Sequence, residues 1–292
     1  MIKSRRVWID TDPAITAGNG EVDDAFALIQ ALRSSELEIV GISAVFGNTG
    51  IDHTYAMARE IVVKAGRGDV PVYRGCGVEG DRSPNAATEA LGAALAEAPL
   101  TILALGPLTT IAATLGQPDA KRANVAEIIF VGGRREGLEF RATPTQAKPF
   151  RDMNFECDAS AASELLALNM PFTLASWEVC ANMWLTPHDL DRLRDEGDAC
   201  AQWLAQSARA WQSSWQSNFG APGFTPFDTL AVGWMLMPGV FAAHKWPGEV
   251  RHDGNPPLFV VDAACKGPEV TYLYAVKNDK FRDDLMARLL RR

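Results

Sequence analysis

The sequence contains few cysteines and histidines, and their spacing gives no support to several kinds of site. Its 292 residues include five cysteines and four histidines. No two cysteines form a C-x-x-C pair, and no two histidines stand at the spacing of metal ligands, so neither a zinc site nor a thiol redox centre is indicated. Because widely spaced cysteines, odd in number, fit a reducing compartment, we expect a cytoplasmic protein.

The chain also lacks a long apolar run and an excess of positive charge. No segment has the roughly 20 apolar residues of a transmembrane helix, so we expect no membrane partner. Net charge is −8, whereas nucleic-acid binding needs a basic surface, so we expect no nucleic-acid partner. With 47% hydrophobic and 22% charged residues, the composition is that of a globular protein with a large core. We expect residues 1–292 to form a single domain.

Short apolar segments alternate with helical patterns in the first half of the chain. They predict strands at residues 7–9, 37–46, 70–73, 100–105 and 126–131, with helices at 51–65, 86–98 and 108–115. This alternation predicts an α/β fold: a Rossmann-like open, mostly parallel sheet with helices on both faces. Ligands bind such sheets at the carboxyl ends of the strands, where Asp12, Asn48, Leu105 and Gly132 are expected to lie.

The second half is less regular. Residues 134–152 read as a long polar loop, which is either functional or mobile. The patterns after it predict helices at 158–168, 187–194, 198–219, 226–237 and 279–292, and strands at 172–177, 258–261 and 270–276.

Four aspartates surround the first predicted strand-to-helix turn. Asp10 and Asp12 end an apolar strand that Pro13 stops, while Asp23 and Asp24 open the next helix, where acids suit the helix dipole. Crowded carboxylates repel one another and usually need a cation, and an all-oxygen site favours Ca²⁺ or Mg²⁺. The alternative is a solvated acidic turn with an ordinary helix cap.

These aspartates also carry a resemblance to a known family. The segments Asp10-Thr11-Asp12-Pro13 and Asp23-Asp24-Ala25 resemble the motif D-x-D-P-G-x-D-D-A of the nucleoside hydrolases, the inosine-uridine-preferring nucleoside N-ribohydrolase family. Residues 14–22 are several residues longer than the corresponding family segment, which indicates a divergent member.

Other segments extend the resemblance in the same order along the chain. Residues 104–112 resemble T-G-P-L-T-N-I-A, with Leu105 in place of the usual threonine, and Asn48 matches V-x-G-N. Residues 131–133 resemble M-G-G. Asp152-Met153-Asn154 resembles E-F-N with a shorter acid, and Phe227-Asp228 resembles H-D with the histidine replaced.

The resemblance implies Ca²⁺-dependent hydrolysis of the N-glycosidic bond of a ribonucleoside, giving free base and ribose in nucleoside salvage. It implies metal ligation by Asp12, Asp24, Asp228 and the backbone carbonyl of Leu105. Asp12 is also expected to act as general base for a metal-bound water, and Asp10 to support the ligands by hydrogen bonding.

The resemblance also implies the substrate contacts. Asp23, Asn48, Asp152 and Asn154 are the expected ribose contacts. The leaving-group acid is unassigned, because Phe227 stands where one subgroup has a histidine. An aromatic platform for the base is an expectation whose alternative is ordinary core packing. Its candidates are Trp211, Trp215, Phe227, Trp177, Phe219 and Phe224.

We expect the protein to form a homodimer or homotetramer. Two other functions compete with this interpretation. One is a phosphatase with a D-x-D nucleophile, although Ala14 stands where that motif has threonine or valine. The other is a ribose- or nucleoside-binding member of the fold that is non-catalytic or acts on an altered substrate. Fold resemblance alone does not separate these functions.

Overall fold

A nine-stranded sheet forms the centre of the computed structural model, which describes residues 4–291 except 19, 182, 253 and 255. The strands are β1 (Arg5–Thr11), β2 (Leu37–Ala44), β3 (Val72–Arg74), β4 (Leu100–Ala104), β5 (Val125–Val131), β6 (Phe172–Ala175), β7 (Phe241–Arg251), β8 (Leu258–Val261) and β9 (Glu269–Val276).

Helices occupy most of the connections between these strands. They are α1 (Asp23–Leu32), α2 (Ile51–Lys64), α3 (Ala86–Glu97), α4 (Thr109–Leu115), α5 (Met153–Glu156), α6 (Ala159–Ala167), α7 (Trp177–Cys180), α8 (Pro187–Glu196), α9 (Ala199–Phe219), α10 (Phe227–Leu236) and α11 (Asn278–Leu289).

The strand order is β3-β2-β1-β4-β5-β6-β9-β7-β8. Every pairing from β3 to β9 is parallel, whereas β7 pairs antiparallel with both β9 and β8. The chain moves outward from β1 to β2 and β3, then returns to β4 on the other side of β1. This reversal opens a crevice at the carboxyl ends of β1 and β4, where ligands bind in sheets of this kind.

Two apolar clusters cover the two faces of the sheet. Alternate strand residues point to opposite faces, and Ile9 belongs to one cluster while its neighbour Trp8 belongs to the other. The Ile9 cluster includes residues of α1, α2, α8, α9, α10 and α11, and the Trp8 cluster includes residues of α3, α4 and α6. The predicted α/β fold, a mostly parallel sheet with helices on both faces, is therefore confirmed.

Several boundaries differ from the sequence prediction. The eleven-residue β7 was missed, because residues such as Ala243 and Lys245 are exposed and Pro247 interrupts an otherwise strand-like pattern. Trp177 was predicted to end a strand but begins α7. The C-terminal helix ends at Leu289 rather than at residue 292, which lies outside the described residues.

Trp8 and Gly41 make a close contact that supports the strand leading to the site. A Cβ built on Gly41 would lie 2.4 Å from Cζ3 of the buried Trp8 ring.

We therefore expect Gly41→Ala to lower the free energy of unfolding by about 1–3 kcal/mol through overpacking. Gly92→Ala is the matched control, since its Cβ meets nothing within 4 Å on α3, and it should be neutral or stabilising by up to about 1 kcal/mol. Urea unfolding measures both values, and equal stability of the two variants would contradict the role of this contact.

Candidate active site

Five aspartates come together at the carboxyl end of β1. Asp10 lies in β1 and Asp12 comes directly after it. Asp23 and Asp24 form the first turn of α1, and Asp228 lies in the first turn of α10. All five are at most 4% exposed. Carboxylate oxygens of Asp23, Asp24 and Asp228 lie within 4.8 Å of one another. Because α1 and α10 both begin here, the amino-terminal ends of two helix dipoles partly offset the negative charge.

Hydrogen bonds from the backbone fix Asp12 and Asp24 relative to each other. One oxygen of Asp24 accepts from the Thr11 hydroxyl and from the Asp12 N–H, the latter at 3.1 Å. The Oδ2 atom of Asp12 accepts from the Asn48 N–H at 2.7 Å. The strand end, the helix start and the loop after β2 are therefore joined through these two carboxylates.

Two glycines allow the backbone to close around Asp12. A Cβ on Gly47 would lie 2.1 Å from Oδ2 of Asp12, and a Cβ on Gly106 would lie 2.7 Å from its Oδ1. Any side chain at either position would displace the carboxylate, so both glycines are required for its present placement.

Asp10 accepts hydrogen bonds through both its side chain and its main chain. Its side chain accepts a hydrogen bond from the Ser43 hydroxyl, which in turn accepts one from the Trp8 indole at 2.8 Å. The Asp10 backbone carbonyl accepts from the Leu105 N–H at 2.8 Å. Asp10 thus contacts the predicted ligand Leu105 through the main chain rather than through its carboxylate.

Burial and mutual repulsion raise the pKa values of these carboxyl groups. Burial raises the pKa of Asp10 to about 8 and that of Asp24 to about 6. The pKa values of Asp12, Asp23 and Asp228 are also raised, first by burial and then by the neighbouring carboxylates. The cluster is electrostatically unfavourable when it is fully ionised.

Several oxygens in this cluster have no hydrogen-bond partner among the described residues. These buried atoms are Asp10 Oδ2, Asp12 Oδ1, Asp23 Oδ1 and Asn48 Oδ1. Unpartnered buried acceptors are costly, and a set of them next to crowded carboxylates suits a hard divalent cation. The residues present therefore fit a metal ion.

The remaining predicted ribose contacts lie beside the cluster. The Asn154 amide donates to the Leu105 carbonyl at 2.6 Å and to the Val131 carbonyl at 3.1 Å. Asp152 accepts from the Gly133 N–H at 2.8 Å, and burial raises its pKa to about 6. These contacts hold both side chains against the ends of β4 and β5.

A cavity of about 300 Å³ opens beside the carboxylates. Its aromatic lining, here called the aromatic wall, consists of Phe140, Phe150, Trp177, Trp211, Trp215 and Phe227. Neighbouring rings contact one another: Phe140 stacks on Trp177 with centroids 5.1 Å apart, and Trp177 lies 5.6 Å from Phe227. Phe227 precedes Asp228, so the aromatic wall adjoins the acidic cluster.

Some of the predicted site residues line this cavity, and others do not. Its lining includes Asp23, Asp24, Asn48, Leu105, Asp152, Asn154, Trp177, Trp211, Trp215, Phe227 and Asp228. By contrast, Phe224 is fully buried against Phe26, and Phe219 packs on Phe150 and Trp215. Neither ring is among the residues that line the cavity, and their observed contacts are those of core packing, the stated alternative.

Sequence reasoning missed several cavity residues that come from loops, among them Phe140, Phe150 and Glu21. Phe140 and Phe150 face each other across an isolated antiparallel bridge within residues 134–152. Glu21 lies at the end of the lengthened loop after Pro13, and its charge raises the pKa values of Asp12 and Asp23. The unusual length of both loops was the only available signal.

The lengthened loop lies against the site. The Ile15 carbonyl is 3.0 Å from Nε2 of His53, and a Cβ on Gly18 would lie 2.8 Å from the Asn48 carbonyl. Of residues 14–22, only residue 19 lies outside the described part of the chain. Part of the lengthened loop therefore packs against His53 and Asn48.

No helix in the described part of the chain is both long enough and apolar enough to cross a membrane.

Comparison with known proteins identifies the family. The model of the inosine-uridine preferring nucleoside hydrolases matches residues 7–283. The chain belongs to this family. It is therefore a hydrolase acting on N-glycosyl compounds, and it carries the acidic cluster expected of a metal-dependent family.

Three proteins similar to this nucleoside hydrolase are distant in sequence but match nearly all of its length. The pyrimidine-specific ribonucleoside hydrolase RihA of Klebsiella pneumoniae (strain 342) is 25% identical, with 97% of each chain covered. A plant nucleoside hydrolase, the PpNRh1 enzyme, has a TM-score of 0.86 at 21% identity, covering 99% of this chain and 100% of that one. A purine-preferring ribonucleoside hydrolase from Gardnerella vaginalis has a TM-score of 0.84 at 19% identity, covering 98% of each chain. The low identities fit a divergent member.

The raised pKa of Asp10 predicts how the stability of the metal-free protein depends on pH. Its folded pKa of about 8 exceeds the ordinary 3.8, so the folded state retains a proton that the unfolded state has lost. Stability should therefore fall as pH rises from about 4 to about 8. We expect Asp10→Asn to make this fall shallower, with Asp24 and Asp152 still contributing.

Thermal unfolding of chelator-treated protein between pH 5 and 9 measures this dependence. Asp119→Asn, at an exposed position, is the control and should follow the unmodified protein. Identical slopes for Asp10→Asn and the unmodified protein would contradict the buried, protonated state of Asp10.

Proposed function

We propose that this enzyme hydrolyses the N-glycosidic bond of a ribonucleoside in a Ca²⁺-dependent reaction, with Asp12 as general base. The observation that carries the proposal is the juxtaposition of a buried acidic cluster with the aromatic wall of one cavity. A ribose bears hydroxyl groups that suit carboxylates, and a base has flat faces that suit aromatic rings. The two parts of a nucleoside thus match the two kinds of lining.

The cation would be held by Asp12, Asp24 and Asp228 together with the carbonyl oxygen of Leu105. The carboxylate and carbonyl oxygens of such a set are those that Ca²⁺ prefers. A bound divalent cation would lower the pKa of a coordinated water below that of bulk water and would balance the charge of the cluster. The unpartnered Oδ1 of Asp12 supports this assignment.

Asp12 is suited to accept a proton from the attacking water. Its Oδ2 is held by the Asn48 N–H at 2.7 Å, while its Oδ1 has no partner among the described residues. The carboxylate is thereby oriented with one oxygen available as a base. General-base catalysis by a positioned carboxylate typically contributes about 10²–10⁴ in rate.

The ribose would lie between Asp23, Asn48, Asp152 and Asn154. Asp23 Oδ1 and Asn48 Oδ1 are buried acceptors for ribose hydroxyl donors. Cleavage passes through an oxocarbenium-like ribosyl centre, and carboxylates beside that centre stabilise its positive charge. The base would contact Trp211, Trp215 and Phe227 of the aromatic wall.

The proposal also includes the cellular location, the domain organisation and the oligomeric state of the enzyme. We infer a cytoplasmic enzyme of nucleoside salvage that consists of one domain and assembles as a homodimer or homotetramer. Of the competing functions, the phosphatase is disfavoured because Ala14 stands where the D-x-D motif has threonine or valine.

The proposal predicts nucleoside cleavage that depends on Ca²⁺ and Asp12. Release of reducing sugar should occur with members of a panel of inosine, adenosine, uridine and cytidine, and it should stop when Ca²⁺ is chelated. Asp12→Asn keeps the shape of the side chain but removes the base, so kcat should fall by about 10²–10⁴. Asp119→Asn, at an exposed position, should retain activity.

Three outcomes would contradict the proposal. Nucleoside binding without turnover in the presence of Ca²⁺ would indicate a binding protein. Phosphate release from nucleotides without sugar release from nucleosides would indicate a phosphatase. Activity retained in Asp12→Asn would exclude Asp12 as the general base.

A further inference from the structure

Trp215 has an unusual environment in the aromatic wall. Its side chain is 1% exposed and lines the cavity, yet its indole Nε1–H has no hydrogen-bond partner among the described residues. Buried indole N–H groups usually have an acceptor, because leaving a donor unpaired in the interior is costly. The missing partner therefore requires an explanation.

The aromatic neighbours of Trp215 supply no strong acceptor. Their ring centroids lie 5.5–6.1 Å from that of Trp215, and the indole nitrogens among them are donors only. The rings around Trp215 are Phe150, Trp184, Trp211, Phe219 and Phe227. An acceptor for the indole can come from a molecule in the cavity that the Trp215 side chain lines.

Trp215 also stands close to the acidic cluster. Its ring centroid is 6.1 Å from that of Phe227, and Phe227 is followed directly by Asp228. The ring is held from several sides by other aromatic rings and by its place in the long helix α9. A donor fixed in this way loses little freedom on binding a ligand, which is the condition for effective preorganisation.

We propose that the Trp215 Nε1–H donates a hydrogen bond to an acceptor atom of the departing base. This inference rests on the proposed function. It gives the leaving group a donor at a site where Phe227 supplies none. The acceptor is a lone pair of the base, either a ring nitrogen of a purine or the carbonyl oxygen of a pyrimidine.

The reaction balances without proton transfer from Trp215. The water oxygen forms a bond to C1′, and a water proton passes to Asp12. The C1′–N bond breaks, and its electron pair remains on the base nitrogen. The base then takes a proton from solvent, and Asp12 returns its proton to solvent. The indole hydrogen bond strengthens as negative charge develops on the base, so it stabilises the transition state.

The test measures turnover of two substrates by the Trp215→Phe variant and by the unmodified enzyme. This variant keeps an aromatic ring but removes the donor. Inosine has a base that needs stabilisation, whereas p-nitrophenyl β-D-ribofuranoside releases an anion that is already stable. We expect kcat for inosine to fall about 10- to 100-fold, as for loss of a hydrogen bond to a charged group. Turnover of the nitrophenyl riboside should stay within about twofold, which also shows that the site remains folded.

Trp203→Phe is the matched control, since Trp203 lies on the same helix under Lys64, with the ammonium 5.0 Å from the ring centroid. Both substrates should be unaffected in this variant. Calorimetry with hypoxanthine gives a readout independent of turnover, and Trp215→Phe should weaken binding of this free base about 2- to 10-fold.

The outcomes separate this inference from the proposed function. Equal losses on both substrates, or no loss on inosine, would overturn the role of Trp215. If the unmodified enzyme cleaves no nucleoside, the proposed function fails, and hypoxanthine binding then decides the inference by itself. Unchanged hypoxanthine binding in Trp215→Phe would overturn it in that case.

Discussion

Repulsion among buried carboxylates is the interaction on which the rest of this structure depends. Five aspartates with at most 4% exposure share the carboxyl end of β1, and burial raises the pKa of Asp10 to about 8. Such a cluster lowers the stability of the metal-free fold. The same arrangement supplies oxygen ligands that suit a cation, so the cost in stability and the proposed chemistry have one origin.

The fold accommodates this cluster through the geometry of its sheet. The chain reverses direction about β1, which leaves a crevice where Asp12 faces the ends of β2 and β4. Gly47 and Gly106 let the backbone close around its carboxylate, and helices α1 and α10 direct their amino-terminal ends towards it. The aromatic wall then provides an apolar side to the same cavity, adjoining the acids through Phe227 and Asp228.

The parts of this arrangement set by local patterns could be predicted from the sequence. Apolar segments alternating with helices predicted the parallel sheet, and the spacing of Asp10, Asp12, Asp23 and Asp24 predicted their convergence. Phe140 and Phe150 could not be predicted as cavity residues, because their placement depends on a bridge within an irregular loop and on packing against Trp177 and Trp215. The unpartnered indole of Trp215 likewise appears only once its neighbours are known.

The most direct test of the central claim is a calorimetric titration of the metal-free protein with Ca²⁺ at pH 7, in two buffers of different ionisation enthalpy. Carboxyl groups with raised pKa values retain protons that a bound cation displaces. The account predicts binding of a single ion with proton release, and much weaker binding in Asp228→Asn. Absence of binding, or binding without proton release, would contradict the assignment of the acidic cluster as a cation site.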